Sequence, residues 1–184
     1  MDHFVDIRIK PDAEMRENLL LNKVYTKLHK VLFDLQAHDI GVSFPEFRVK
    51  LGRVIRLHAT SPRLQELQKL DWLGGLAGYC QISNMKTVPD HAEHRTVSRL
   101  RSNMSPAKMR RLIARGALKT DEDIKSYRAK MYSSGLDSPY LELVSTSNGQ
   151  SHRRYIQFGA LQKEPVIGKF DYFGLSKQAT IPWF

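Results

Sequence analysis

Hydrophobic and polar residues along the first part of the chain follow two periods, one typical of strands and one of helices. Over residues 4–9 the two kinds alternate, which predicts a β-strand that ends at Pro11-Asp12, where a helix is expected to begin. Apolar side chains then recur at helical spacing over about 20 residues, which predicts an amphipathic helix. Its apolar stripe consists of Leu21, Val24, Tyr25, Leu28, Val31, Leu32 and Leu35.

The pattern after this helix predicts three more strands and one short helix. Strands are expected over residues 42–48 and 54–59 and near residues 79–85. The short helix is expected to run from Ser61, as its N-cap, through Leu70. The resulting order, βαββαβ, predicts an α+β protein whose N-terminal domain is ferredoxin-like and similar to RNA-recognition domains.

The later part of the chain combines two helix starts with one hairpin. Ser105-Pro106 predicts the beginning of a helix, and Thr120, ahead of three acidic residues, predicts the cap of another. Strand-like segments at residues 140–145 and 152–158 flank Asn148-Gly149, a pair typical of tight hairpin turns.

The net charge of +10 is distributed unevenly along the chain. Residues 1–94 carry 13 Lys and Arg against 12 Asp and Glu, whereas residues 95–184 carry 16 against 7. A nearly neutral half joined to a basic half predicts two domains with these bounds, a scaffold and a domain that binds nucleic acid. A basic surface that is merely solvated is the alternative.

Several classes of protein are disfavoured. The single cysteine, Cys80, excludes an internal disulfide and a Cys-rich zinc site. No apolar run is long enough to cross a membrane, and no signal-type segment is present, so a cytoplasmic protein is expected. The seven histidines form no His-Glu-x-x-His motif, so neither a metal nor another cofactor is predicted.

His29 is the first residue to consider for chemistry, because it lies at the edge of the apolar stripe of the first helix. This position lies between core and solvent, where a second domain could cover it, and a histidine there can exchange protons near neutral pH. The alternative is that His29 is an ordinary surface histidine, and the helical spacing by itself favours this alternative.

The predicted helix after Ser105-Pro106 carries four basic residues: Lys108, Arg110, Arg111 and Arg115. All but Arg110 fall on one side of the helix, where such a row can follow a phosphate backbone. Arg99 and Arg101, two positions apart in the extended segment before the helix, can contact guanine edges. A solvated charged face is again the alternative.

The hydroxyl-rich segment 145–150 precedes His152-Arg153-Arg154. Turns of this composition are usually structural, but the basic residues that follow make a contact to phosphate or ribose plausible.

Several short segments together resemble one family, the CRISPR repeat-processing endoribonucleases of type I-F systems. In chain order they are Val5-Asp6-Ile7-Arg8 with Pro11-Asp12, Lys27-Leu28-His29, Ile40-Gly41-Val42-Ser43-Phe44-Pro45, Val97-Ser98-Arg99, Gly174-Leu175-Ser176-Lys177 and Pro182-Trp183-Phe184. The resemblance extends over essentially the whole chain.

This resemblance implies an enzyme that cuts precursor CRISPR RNA at the 3′ base of each repeat hairpin without a metal ion. It also implies that the enzyme keeps the product and joins the other subunits of the type I-F interference complex. By the same resemblance His29 is the catalytic histidine, and Ser145 positions the ribose 2′-hydroxyl. Arg99 is implied to read a base, and the four basic residues of the helix are implied to enter the hairpin's major groove.

Three positions depart from the family pattern. Arg101 stands in place of a glutamine, so the base pair read there is expected to differ. His152 stands in place of an aromatic residue that caps the stem, and stacking is expected to be weaker. Phe173 stands where the family has a tyrosine near the catalytic histidine, so that hydroxyl is lost.

The expected reaction is in-line attack by the 2′-hydroxyl, with His29 as general base and Ser145 holding the hydroxyl. Arg153 is a further candidate RNA contact, and Ser147 and Phe173 are candidate neighbours of the active site. The main alternative is a non-catalytic subunit that only binds an RNA hairpin, which would give His29 and Ser145 no reason to meet.

Overall fold

The computed structural model describes residues 1–101, 104–133, 137–144 and 149–184. The chain forms two compact units, one made of Met1–Arg99 with Pro139–Phe184 and one of Leu100–Ser138. The first unit is therefore discontinuous in sequence, since the chain returns to it at residue 139.

The first unit opens with the predicted order of two helices among four strands. The sheet has the strand order β2-β3-β1-β4, all pairs are antiparallel, and a short β5 also pairs with β1. The elements are β1 (His3–Ile9), α1 (Glu17–Asp34), β2 (Gly41–Ser43), β3 (Val54–Ala59), α2 (Ser61–Gln68), a 3₁₀ turn (Gly74–Tyr79), β4 (Cys80–Ile82) and β5 (Lys86–Thr87).

Two of the predicted strands are wrong in length. The strand expected over residues 42–48 is only Gly41–Ser43, because Pro45 has no amide hydrogen and the chain turns where Phe47 N–H donates to Phe44 O. The strand expected near residues 79–85 is only Cys80–Ile82. Beyond it the Ser83 hydroxyl accepts from the Asp6 amide, so a side chain replaces the next ladder bond.

The two helix starts in this unit also differ from expectation. Helix α1 begins at Glu17 rather than at Pro11-Asp12, because the Asp12 carboxylate accepts from the amides of Glu14 and Met15 and closes a separate turn. The N-cap of α2 is Thr60 rather than Ser61, which is already helical. The apolar stripe of α1 is confirmed for six of its seven predicted members, which are buried, whereas the seventh, Leu35, is the half-buried C-cap. Leu20 is buried as well.

Two further sheets complete the first unit. A two-stranded sheet joins β6 (Glu93–Arg95) to β10 (Ile181–Trp183), and Phe184 stacks on the Arg56 guanidinium, so the end of the chain is packed. A three-stranded sheet has the order β7-β9-β8. Its strands are β7 (Val97–Leu100), β8 (Tyr140–Val144) and β9 (Ser151–Phe158), which confirms the predicted hairpin strands within a residue.

The second unit contains α3 (Pro106–Ala114) and α4 (Asp121–Met131). The Ser105 hydroxyl accepts from the Lys108 amide, so Ser105 is the N-cap of α3, as predicted. Thr120 and Asp123 form a reciprocal capping box at the start of α4, as the sequence also predicted for Thr120.

Ser43 and His58 form a buried polar pair that is expected to make stability depend on pH. Ser43 Oγ on β2 lies 2.8 Å from His58 Nε2 on β3, and both residues are buried. Burial, and secondarily the charge of Arg56, lowers the pKa of His58 from an ordinary 6.5 to about 3. In the unfolded chain His58 binds a proton once the pH falls below its ordinary pKa of 6.5, whereas in the folded protein it stays neutral until the pH approaches 3.

We therefore expect the free energy of unfolding to fall as the pH drops from 6.5 toward 3, by about 2 kcal/mol at pH 5 from this group. Chemical denaturation between pH 5 and pH 7.5 measures it. The variant His58→Gln keeps a hydrogen-bonding side chain that does not titrate, and its stability should depend less steeply on pH. Equal pH slopes for the two proteins contradict the prediction.

Candidate active site

His29 lies on α1 at the edge of the buried stripe and is half-buried. Its Nδ1 atom is 2.9 Å from the carbonyl oxygen of Tyr172. A carbonyl can only accept, so Nδ1 carries the hydrogen and donates it. In the neutral imidazole this leaves the lone pair on Nε2, and that nitrogen is the one able to take a proton from a substrate.

The loop that supplies this carbonyl is built around Asp171. The Asp171 carboxylate accepts from the amides of Phe173 and Leu175, and Gly174 N–H donates to the Asp171 carbonyl. Gly174 adopts a φ of +70°, and a Cβ there would lie 2.3 Å from a methyl group of Val42. The loop is thus a tight turn packed against β2. This packing fixes the Tyr172 carbonyl within hydrogen-bonding distance of His29 Nδ1.

Tyr25 fastens the same loop to α1. Its hydroxyl donates to the Phe173 carbonyl over 2.7 Å, and its ring is completely buried. Burial raises the pKa of Tyr25 above its ordinary value, and the negative charge of Asp171 adds to this. The hydroxyl therefore stays protonated and keeps its role as donor.

The ring of Phe173 stacks on the imidazole of His29. The ring centroids are 3.6 Å apart and the planes are inclined by 11°. The guanidinium carbon of Arg154 also lies over the Phe173 ring, 3.5 Å from its centroid. Phe173 thus contacts both the candidate catalytic histidine and a buried cation.

Tyr172, next to Phe173, does not replace the hydroxyl that the family has at position 173 and that this chain lacks. The hydroxyl of Tyr172 donates to Gln36 Oε1 over 2.6 Å, and its ring lies against Phe33 and His38. It is therefore used in a contact at the C-terminal end of α1.

Two predicted site residues, Ser145 and Ser147, lie outside the described residues. The hairpin strands that flank them do have a defined register, with Leu143 opposite His152 and Leu141 opposite Arg154. Alternation places the exposed His152 on the same face as buried Arg154. Arg153 points to the other face, where it pairs across the strands with Glu142 and lies 4.4 Å over the Tyr140 ring.

The basic residues of α3 and its C-cap, Arg115, are all exposed. Lys108, Arg111 and Arg115 line one surface cleft of about 170 Å³ together with Leu112, and Arg110 is not among its lining residues. This confirms the predicted one-sided row. Arg99 lies half-buried in β7, and Arg101 is exposed just after it.

Sequence reasoning missed three residues that shape this site: Tyr25, Arg154 and Asp171. The helical spacing places Tyr25 in the apolar stripe but gives no sign of what its hydroxyl contacts. Arg154 carried a usable signal, because alternation along β9 puts it on the same face as the buried Ile156. A charged residue on an apolar strand face needs a specific partner.

Neither a metal-binding cluster nor a membrane-spanning helix occurs among the described residues. Within residues 1–101, 104–133, 137–144 and 149–184, no three His, Cys, Asp or Glu side chains are grouped so that they could hold a metal ion. Over the same ranges, no helix has both the length and the hydrophobicity that crossing a membrane requires.

Comparison with known proteins gives full-length matches. Residues 4–184 match the model of the family described as CRISPR-associated protein (Cas_Csy4). The chain is 40% identical over 185 residues to the CRISPR-associated endonuclease Cas6/Csy4 of Escherichia coli (strain UTI89 / UPEC). It is 36% identical over 187 residues to the protein of the same name from Pseudomonas aeruginosa (strain UCBPP-PA14). Both alignments cover 100% of each chain.

A solved structure of the CRISPR endoribonuclease Cse3 bound to 19 nt RNA aligns over 100% of both chains, with 14% identity and a TM-score of 0.39. A similarity this low carries no argument. The family model and the two full-length relatives are sufficient: the chain belongs to the Cas_Csy4 family of CRISPR-associated proteins.

Proposed function

We propose that this protein is a metal-independent endoribonuclease that cleaves precursor CRISPR RNA at the 3′ base of the repeat hairpin. The observation that carries the proposal is the 2.9 Å contact from His29 Nδ1 to the Tyr172 carbonyl. A histidine held in this tautomer presents Nε2 as a base, which is what attack by a ribose 2′-hydroxyl requires.

In the proposed reaction, His29 Nε2 takes the proton of the 2′-hydroxyl on the nucleotide before the scissile phosphate. The 2′-oxygen bonds to phosphorus, the bond to the 5′-oxygen breaks, and the leaving oxygen takes up a proton. The products are a 5′-hydroxyl and a 2′,3′-cyclic phosphate, which hydrolysis converts to a 3′ phosphate. Ser145 is proposed to hold the 2′-hydroxyl in line.

Recognition of the hairpin is assigned to the basic residues of the second half. We propose that the one-sided row of α3 follows the phosphates of the stem, because its three cations line one cleft. We propose that Arg110 makes a further contact to the RNA and that Arg99 and Arg101 contact bases. His152 and Arg153 are proposed to contact the stem. Ser147 is retained as a neighbour of the active site.

The remaining parts of the proposal concern the architecture and the partners. The strand order β2-β3-β1-β4 supports describing the first sheet with its two helices as ferredoxin-like. We propose that residues 1–94 of a cytoplasmic protein carry the catalytic histidine and that residues 95–184 bind the RNA hairpin. The product is proposed to remain bound while the protein joins the other type I-F subunits.

Cleavage in the presence of a chelator tests this function. An end-labelled repeat hairpin incubated with the protein in excess EDTA should be cut once, leaving a 5′-hydroxyl on the downstream fragment. The same RNA with a single 2′-deoxy nucleotide before the scissile phosphate should bind equally well but stay intact, because it lacks the attacking hydroxyl.

The alternatives give different results in this experiment. A subunit that only binds the hairpin leaves both RNAs uncut. A metal-dependent nuclease loses activity in EDTA and still cuts the 2′-deoxy RNA when magnesium is restored. Either pattern contradicts the proposed function.

A further inference from the structure

Arg154 is a buried charge on the inner face of the β8–β9 hairpin. Only 6% of its surface is exposed, and its neighbours on that face, Leu141 across the strand pair and Ile156 along β9, are buried apolar residues. A guanidinium in such a place costs desolvation energy that an apolar side chain of similar volume would avoid. This cost indicates that Arg154 does more than fill space in the core.

The geometry around Phe173 indicates that role. The Arg154 guanidinium carbon is 3.5 Å and the His29 ring centroid 3.6 Å from the centroid of the Phe173 ring. Two groups this close to one centroid would overlap if they shared a face of the ring. Arg154 and His29 therefore lie on opposite faces, and Phe173 is held between them.

We propose that Arg154 is a positioning residue for His29 and acts through the ring of Phe173. The attraction between a cation and an aromatic face holds the ring flat against the guanidinium, and the other face then supports the imidazole. Phenylalanine has no hydroxyl with which to anchor its ring, so its orientation depends on what lies above and below it. This inference rests on the proposed function, in which His29 is the base.

The orientation of the imidazole matters because its hydrogen bond holds only one side of the ring. The bond from Nδ1 to the Tyr172 carbonyl fixes that side, but the ring can still tilt about the contact. The stacked Phe173 restricts this tilt and so directs Nε2. A small loss of alignment in a general base reduces the rate without affecting the binding of the RNA.

Single-turnover kinetics with excess enzyme test the proposal. Arg154→Leu keeps bulk and removes the charge, and we expect cleavage about tenfold slower, with the Kd for the uncleavable 2′-deoxy hairpin unchanged within about twofold. Arg154→Lys restores the cation and should recover part of the rate. In a Phe173→Leu background, Arg154→Leu should have little further effect, because the ring that transmits it is gone.

The matched control is Gln157→Ala, an exposed position on the same strand, which should cleave at the wild-type rate. A folded Arg154→Leu that cleaves like wild type overturns the proposal, as does an effect of equal size in the Phe173→Leu background. If Arg154→Leu does not fold, Arg154→Met is judged by the same two outcomes.

Nuclear magnetic resonance of ¹³C-labelled histidine gives a readout that does not depend on cleavage. The stacked Phe173 ring should shift the His29 ring resonances upfield, and Arg154→Leu should move them toward their values in Phe173→Leu. Unmoved resonances overturn this inference alone. In contrast, cleavage by His29→Ala at the wild-type rate overturns the proposed function and leaves the stack untouched.

Discussion

Replacing His29 with alanine is expected to slow single-turnover cleavage of the repeat hairpin by about 10²–10⁴-fold, the usual contribution of a general base. Binding should be nearly unaffected, because the imidazole is half-buried and held by the Tyr172 carbonyl and the Phe173 ring rather than displayed on a basic surface. Cleavage of the labelled RNA and a filter-binding Kd for its 2′-deoxy form separate the two effects.

Two further variants isolate the chemical role of His29. His29→Asn places an amide N–H where Nδ1 donates, so it can keep the bond to the Tyr172 carbonyl while removing the basic nitrogen. We expect it to be as slow as His29→Ala. Lys30→Ala, the exposed neighbour on α1, is the control and should cleave at the wild-type rate. Activity retained by His29→Asn would falsify the assignment of the base.

Removing the one-sided row of α3 is expected to have the second largest effect. The triple variant of Lys108, Arg111 and Arg115 to alanine should bind the hairpin about a hundredfold more weakly, or weaker still, near physiological salt. It should also flatten the plot of log affinity against log salt by about three units of slope, one for each phosphate that is no longer neutralised. Fluorescence anisotropy at several salt concentrations measures both quantities.

The matched control removes three positive charges from the other helix of the same unit. Lys125, Arg128 and Lys130 belong to α4, and their replacement by alanine changes the net charge equally. If binding depends only on overall charge, the two triple variants lose the same affinity. We expect the α3 variant to lose at least about ten times more, and equal losses contradict a phosphate-tracking row.

Much of the secondary structure could be predicted because its causes are local. The stripe of α1 follows from helical spacing, and the starts of α3 and α4 follow from Ser105 and Thr120, whose side chains cap the next turn. Two element boundaries were predicted wrongly because a single residue there ended or delayed the element that the hydrophobic pattern predicted. Pro45 ended β2 early, and Asp12 closed a turn of its own before α1 began.

Only part of the candidate site could be predicted, because spacing informs about residues within one element and not about contacts between elements. Periodicity placed His29 at the edge of a buried stripe, and charge placed the basic row on α3, since both properties follow from spacing along one element. The family resemblance drew attention to Phe173, but no spacing relates it to Arg154 or to the imidazole. Those contacts exist because the chain returns at residue 139 to the unit that contains α1.

The amino-acid sequence by itself determined the main elements, the uneven charge and the family, because these depend on residue types and their spacing. Only the tertiary structure decided which nitrogen of His29 can act as a base. That choice depends on the carbonyl of Tyr172, 143 residues away, which a tight turn around Asp171 holds within hydrogen-bonding distance of His29. It also placed Phe173 between His29 and Arg154, an arrangement set by packing between segments distant in the chain.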